Sequence, residues 1–311
     1  MKKFLRQTAV FAFLMLILIG SAEMYVERMP NPYRYKHEYM QLHADEIETL
    51  VLGSSHTYYG ICPSDLGDNS FSLANISQTY RYDLYLLNHY DMPRLHNVIL
   101  PFSYFSLWSD YEDQKTDDNY IIYYRLYMDC DIHPRIGRYG LECFCMPSMT
   151  EKLRALFKPR RMTWDEKGCG TNYTFESRDP KWDNGKFRAA VTTFSDTTLI
   201  EPNANRLNDI ASYCAGHDIQ LTLVRTPVTD SYIKYTDKSQ EDINDKVLLR
   251  FLSSHPDVNF VDLYRDDRFD DADFFDSDHL NTNGAHKLSA ILRTYLNSKL
   301  QNPESTPVSV R

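Results

Sequence analysis

Apolar positions along the chain follow two different periods. Short continuous apolar runs mark strands buried on both faces. They occur at residues 48–54, 69–75, 96–102, 219–228 and 258–264, with Leu50-Val51-Leu52 the clearest. Between them, residues 36–47, 78–90, 204–215, 241–252 and 281–300 read as helices. Tyr82, Tyr85, Leu86 and His89 share one helical face, and Leu288, Ile291, Leu292, Tyr295 and Leu296 form a stripe on the last. Strands alternating with helices imply βαβ units, hence an α/β domain around a parallel sheet of about five strands. Residues 106–201 break the rhythm and read as a large insertion. It leaves the core directly after the third strand and is expected to cap the carboxyl edge of the sheet. Its Trp108, Trp164 and Trp182, with Tyr120, Tyr123, Tyr124 and Tyr127, either stack on sugar faces or pack as a core. Residues 302–311 are polar and Pro-containing, and are expected to form a flexible tail.

The N-terminus has the grammar of a targeting segment. Lys2, Lys3 and Arg6 precede an apolar run from Ala9 to Ile19, followed by Gly20-Ser21-Ala22. Small residues there suit a cleaved signal peptide, while extension through Met24, Tyr25 and Val26 suits a retained membrane anchor. Both readings stand. The flanking charges place the rest of the chain outside the cytoplasm, in a periplasm or at a cell surface. The expected division is therefore 1–26 as signal or anchor, 27–301 as the α/β domain and 302–311 as tail.

Composition narrows the partners. Hydrophobic residues make up 42% of the 311, enough for a sizeable core. The net charge of -9, with basic runs only at Lys2, Lys3 and Arg6 and at Lys158-Pro159-Arg160-Arg161, excludes nucleic acid. Six cysteines (62, 130, 143, 145, 169 and 214) allow 15 pairings, and spacing does not choose among them. No zinc-finger spacing surrounds Cys143 and Cys145. The acidic run around Asp270, Asp271 and Asp273 lacks the glycine and closing glutamate of a calcium loop. Neither a metal nor another cofactor is expected.

Two local signals carry chemistry. Gly53-Ser54-Ser55-His56 sits at the end of the first strand, where glycine permits a sharp turn that brings a hydroxyl to the surface. Asp276-Ser277-Asp278-His279 lies just before the last helix. A serine hydroxyl needs a base to take its proton, and a carboxylate on the far ring nitrogen fixes that base's tautomer. Asp276 is three residues from His279, so one short turn can present both. Asp278 is then left to solvent or to the helix cap.

On these residues the chain resembles the SGNH (GDSL-like) hydrolase family, in particular its envelope branch of D-alanyl transfer and polysaccharide O-acetyltransferase-like proteins. The family's Gly-Asp-Ser block corresponds to Gly53-Ser54-Ser55, and its closing Asp-x-x-His to Asp276 and His279. The resemblance implies a three-layer flavodoxin-like fold and a catalytic set of Ser55, His279 and Asp276. The oxyanion positions would fall at Ala74 and Asn75, and at Ser103 where the family has asparagine. It further implies an exported esterase or O-acyltransferase working through an acyl-Ser55 intermediate. Its substrate would be an acylated envelope or extracellular glycan, with the membrane as a second partner through the N-terminal segment. The altered oxyanion positions also fit a catalytically degenerate scaffold that binds glycan or an assembly partner.

Overall fold

A computed structural model describes residues 1–110, 118–130, 132 and 162–301. Cys143, Cys145, the basic run at 158–161 and the 302–311 tail lie outside the described residues. In chain order the main elements are α1 (Lys2–Glu27), α2 (Pro32–His43), β1 (Thr49–Val51), α3 (Ser55–Tyr58), β2 (Ser70–Ser72), α4 (Tyr80–His89), β3 (Asn97–Pro101) and α5 (Asp118–Met128). There follow α6 (Gly185–Thr192), α7 (Ile200–Gly216), β4 (Gln220–Arg225), α8 (Asp230–Ile233), α9 (Lys238–Ser254), β5 (Asn259–Asp262) and α10 (Thr282–Gln301).

Among the described residues five strands form one sheet, in the order β2-β1-β3-β4-β5, every pair parallel. This is the flavodoxin-like order, with its switch point between β1 and β3. Alternation within each strand divides the core into two layers. Leu50, Leu52, Val98, Leu100, Leu221 and Leu223 face one side, against Leu86 of α4, Leu207 and Ile210 of α7 and Phe251 of α9. Val51, Ile99, Val224 and Val261 face the other, against Leu288, Leu292 and Leu296 of α10. Each of these buried aliphatic side chains contributes about 1.5–3 kcal/mol of transfer free energy. The fold is thus a three-layer α/β sandwich, as expected.

Element boundaries moved for identifiable reasons. Helix α2 starts at Pro32 rather than 36, because the Asn31 side chain accepts the Tyr33 N–H at 2.8 Å and Pro32 occupies the first helical position. Strand β1 stops at Val51 because Gly53 takes φ +105 and turns the chain into α3. The N-terminal apolar run extends into α1, a 26-residue helix that is long and apolar enough to cross a membrane.

Of the two readings of the insertion's tyrosines, packing in a core holds for Tyr123, Tyr124 and Tyr127, while the Tyr120 side chain lies outside the described residues. Tyr123, Tyr124 and Tyr127 of α5 are buried in the main core beside α2. Tyr124 stacks on Tyr82 at 4.1 Å and donates its hydroxyl to Gln78 at 2.6 Å. Trp108 and Trp164 are also buried, and the Trp108 indole donates to Asn244 at 2.8 Å. Trp182 is half-buried, with the Arg178 guanidinium 4.5 Å above its ring.

Candidate active site

The turn after β1 is built to hold Ser55 still. A Cβ on Gly53 would lie 2.2 Å from the Pro101 ring, so only glycine fits between β1 and β3. The Gly53 N–H donates to the buried Asp83 carboxylate at 2.8 Å, and the Thr57 hydroxyl donates back to Leu52 O at 2.7 Å. Ser54 is the N-cap of α3, and Ser55 is its first residue.

On the other side of the crevice, the Asp276 carboxylate closes its own turn. Its Oδ1 accepts the backbone N–H of Asp278 at 3.1 Å and that of His279 at 2.9 Å, a local pattern aspartate favours. The same carboxylate lies 2.9 and 3.1 Å from His279 Nδ1. His279 Nε2 lies 2.8 Å from Ser55 Oγ, across 224 residues of chain. Asn281 caps α10, accepting from Asn283 and Gly284, and so anchors the helix that follows His279. An aromatic wall stands against the imidazole: Tyr59, Tyr173 and Phe275 stack in series at 3.7 and 3.8 Å, and Tyr173 meets His279 edge-on at 5.5 Å.

Asp278 does not face solvent or cap the helix. It is fully buried and receives the Arg188 guanidinium through Nε at 2.5 Å and Nη2 at 3.0 Å. Its Oδ2 lies 3.4 Å from His56 Nε2, and its Oδ1 lies 3.3 Å from His279 Nδ1. The sequence could not place it because its partner, Arg188, belongs to the insertion. His56, by contrast, stood next to Ser55 in the same four-residue signal.

The charges interact strongly. Burial works against the His279 imidazolium, but Asp276 and Asp278 outweigh it and push its pKa up to about 9. Burial also opposes the Asp278 carboxylate, yet His279, His56 and Arg188 hold it well below the usual range. Burial pulls the pKa of His56 down despite the neighbouring Asp278. Asp83 is pushed up to about 7 by burial, which outweighs its hydrogen bonds from Gln78 and Gly53. Among the described residues its second oxygen is buried without a hydrogen-bond partner.

The expected oxyanion donors are near the site but already engaged. The Ala74 N–H reaches Ser72 Oγ at 3.3 Å, while Ala74 O accepts the buried Lys36 ammonium. The Asn75 N–H donates to Gly53 O at 3.0 Å, and its side-chain amide to Leu73 O and Gln78 Oε1. The Ser103 hydroxyl pairs with His56 Nδ1 at 2.9 Å. The Ser55 N–H, in the first turn of α3, has no intrahelical acceptor by the geometry of a helix start.

Ser55 opens into a cavity of about 220 Å³, lined also by Phe105, Asp110, Arg188, Val191 and Phe194. Part of the insertion therefore sits at the carboxyl edge beside the hydroxyl. A larger open cavity of about 610 Å³ beside Asp65 and His286 holds none of these groups.

No protein-family model matches the chain, and no curated protein matches it. Two solved structures are similar in overall path. One is a protein from Streptococcus pneumonia, provisionally described as a platelet activating factor. It is 13% identical with a TM-score of 0.44, covering 93% of this chain and 99% of that one. The other, from Bacteroides fragilis NCTC 9343 and provisionally described as an acylhydrolase, is 10% identical with a TM-score of 0.42, covering 84% and 95%.

Proposed function

We propose that the chain is a serine esterase or O-acyltransferase of the SGNH kind, acting through an acyl-Ser55 intermediate. One observation carries this reading: the continuous hydrogen-bond path Ser55–His279–Asp276 at the switch point of a parallel sheet. Ser55 Oγ attacks the ester carbonyl carbon while His279 Nε2 takes its proton. Asp276 keeps the ring in the tautomer that leaves Nε2 free to accept. His279 then returns the proton to the leaving alcohol as the carbonyl–oxygen bond breaks. Water or a sugar hydroxyl, deprotonated by the same imidazole, releases the acyl group. The Ser55 N–H is the donor best placed to meet the developing oxyanion. The membrane-length α1 supports placement outside the cytoplasm, anchored or secreted, and a glycan ester fits a small site lined by hydroxyls and aromatics.

The engagement of the Ala74, Asn75 and Ser103 donors favours a second reading, a non-catalytic scaffold that binds glycan or an envelope partner. A fluorophosphonate separates the two. The catalytic reading expects covalent mass on Ser55, abolished by Ser55→Ala and largely kept in Ser54→Ala. An unlabelled protein, or labelling that survives Ser55→Ala, would overturn it.

A further inference from the structure

We propose that Arg188 binds a carboxylate carried by the substrate beside the scissile ester. This rests on the reading of Ser55 as nucleophile and names the class of substrate it serves. Arg188 lies on α6 and lines the same cavity as Ser55. Its Nε and Nη2 are spent side-on upon the two oxygens of Asp278. Its Nη1 makes no hydrogen bond among the described residues, and the side chain is 22% exposed. A guanidinium is a planar fork of five donors, so one edge held by Asp278 leaves donors in fixed directions for a second planar anion. The salt bridge behind it fixes the fork before any ligand arrives.

Both carboxylates next to Arg188 are already paired: Asp278 with the guanidinium itself, and Asp276, 3.9 Å from Arg188 Nε, with His279 at 2.9 Å. The cavity's acidic lining residue, Asp110, is buried and matched twice, by Arg81 at 3.0 Å and Arg206 at 2.7 Å. The cavity of about 220 Å³ has room for a short charged arm or the edge of a sugar ring. The carboxylate has two sources of the same chemistry: the acyl side, as in a succinyl half-ester, or the alcohol side, as in an acetylated uronic acid.

The experiment compares kcat/KM within two pairs of esters. The acyl arm sets 4-nitrophenyl monosuccinate against 4-nitrophenyl acetate. The alcohol arm sets O-acetylated glucuronic acid against O-acetylated glucose. Wild type should prefer the charged member in one arm, and which arm identifies the source. Arg188→Gln should reduce that preference on the order of 10- to 100-fold, and Arg188→Lys by less, because a charge remains without the fork. Taking the ratio cancels any loss both substrates share through disturbance of Asp278. Added salt should shrink the wild-type ratio. A ratio at or below one in both arms, or one unchanged by Arg188→Gln, overturns the proposal. Should Arg188→Gln fail to fold by circular dichroism, an unchanged ratio in Arg188→Lys overturns it instead. If neither ester turns over, calorimetric titration of succinate against succinamide and of glucuronate against glucose decides: tighter binding of either carboxylate that weakens in the Arg188 variants supports the proposal, and no preference for either carboxylate overturns it. Phosphonate labelling of Ser55 judges the nucleophile separately.

Discussion

Replacing Asp278 by asparagine tests the electrostatics of the site directly. His279 must be neutral to accept the Ser55 proton, so the rate should climb as pH rises through the pKa of the imidazole and level off above it. Asp276 at 2.9 Å and Asp278 at 3.3 Å from Nδ1 both favour the imidazolium, and together they bring it to about 9. At 3.3 Å a unit charge is worth about 5 kcal/mol at an effective dielectric of 20, before competing charges are counted. Much of this is offset, because Arg188 neutralises Asp278 from its other side. Removing the carboxylate alone leaves Arg188 facing the imidazole, which also disfavours its protonation. The limb should therefore move down by roughly one to two units. With wild type near 9, the neutral fraction at pH 7 is about 1%, and it should rise to roughly 10–50% in the variant. The assay is the second-order rate of Ser55 phosphonylation between pH 6 and 10, read as a fraction of each protein's own plateau. Asp276→Asn should behave differently, since it loses the tautomer control as well as the charge, and its plateau should fall by up to about 10⁴. A limb for Asp278→Asn that stays in place or moves up would refute the reasoning.

Two further outcomes follow from the turn that holds the nucleophile. Gly53→Ala forces a Cβ into the Pro101 ring at 2.2 Å with φ at +105, and should cost at least about 2 kcal/mol in denaturant unfolding. Asp83→Asn should make stability less pH-dependent. Burial raises the wild-type carboxyl from 3.8 to about 7, so the unfolded chain loses this proton first and the folded state loses stability as pH rises from 4 through 7. Wild type should therefore melt lower relative to the variant at pH 8 than at pH 4, by an amount bounded near about 4 kcal/mol; parallel melting curves across that range would show the carboxyl to be ionised in the fold.

Local pattern alone disclosed the strand and helix order, because burial on both faces leaves a continuous apolar run and burial on one leaves a helical stripe. Leu50-Val51-Leu52 and the Leu288–Leu296 stripe are legible for that reason, and they turn out to pack on the second core layer through Val51, Leu288, Leu292 and Leu296. Ser55, His279 and Asp276 were legible as two short blocks, since each block closes its own turn with its own residues: Gly53 by its positive φ, Asp276 by accepting the Asp278 and His279 amides. The tertiary structure alone decided the relations between blocks. It brought Ser55 Oγ to 2.8 Å from a histidine 224 residues away. It sent Asp278 inward to an arginine 90 residues earlier, and it engaged Asn75 and Ser103 with Gln78 and His56. It also drew Tyr123, Tyr124 and Tyr127 into the main core, although their aromatic spacing fits a sugar-binding face equally well. The physical reason is that periodicity reports how much of a side chain is buried. The partner of a buried charge or hydroxyl is set by where the sheet and the loop after β3 bring distant segments together.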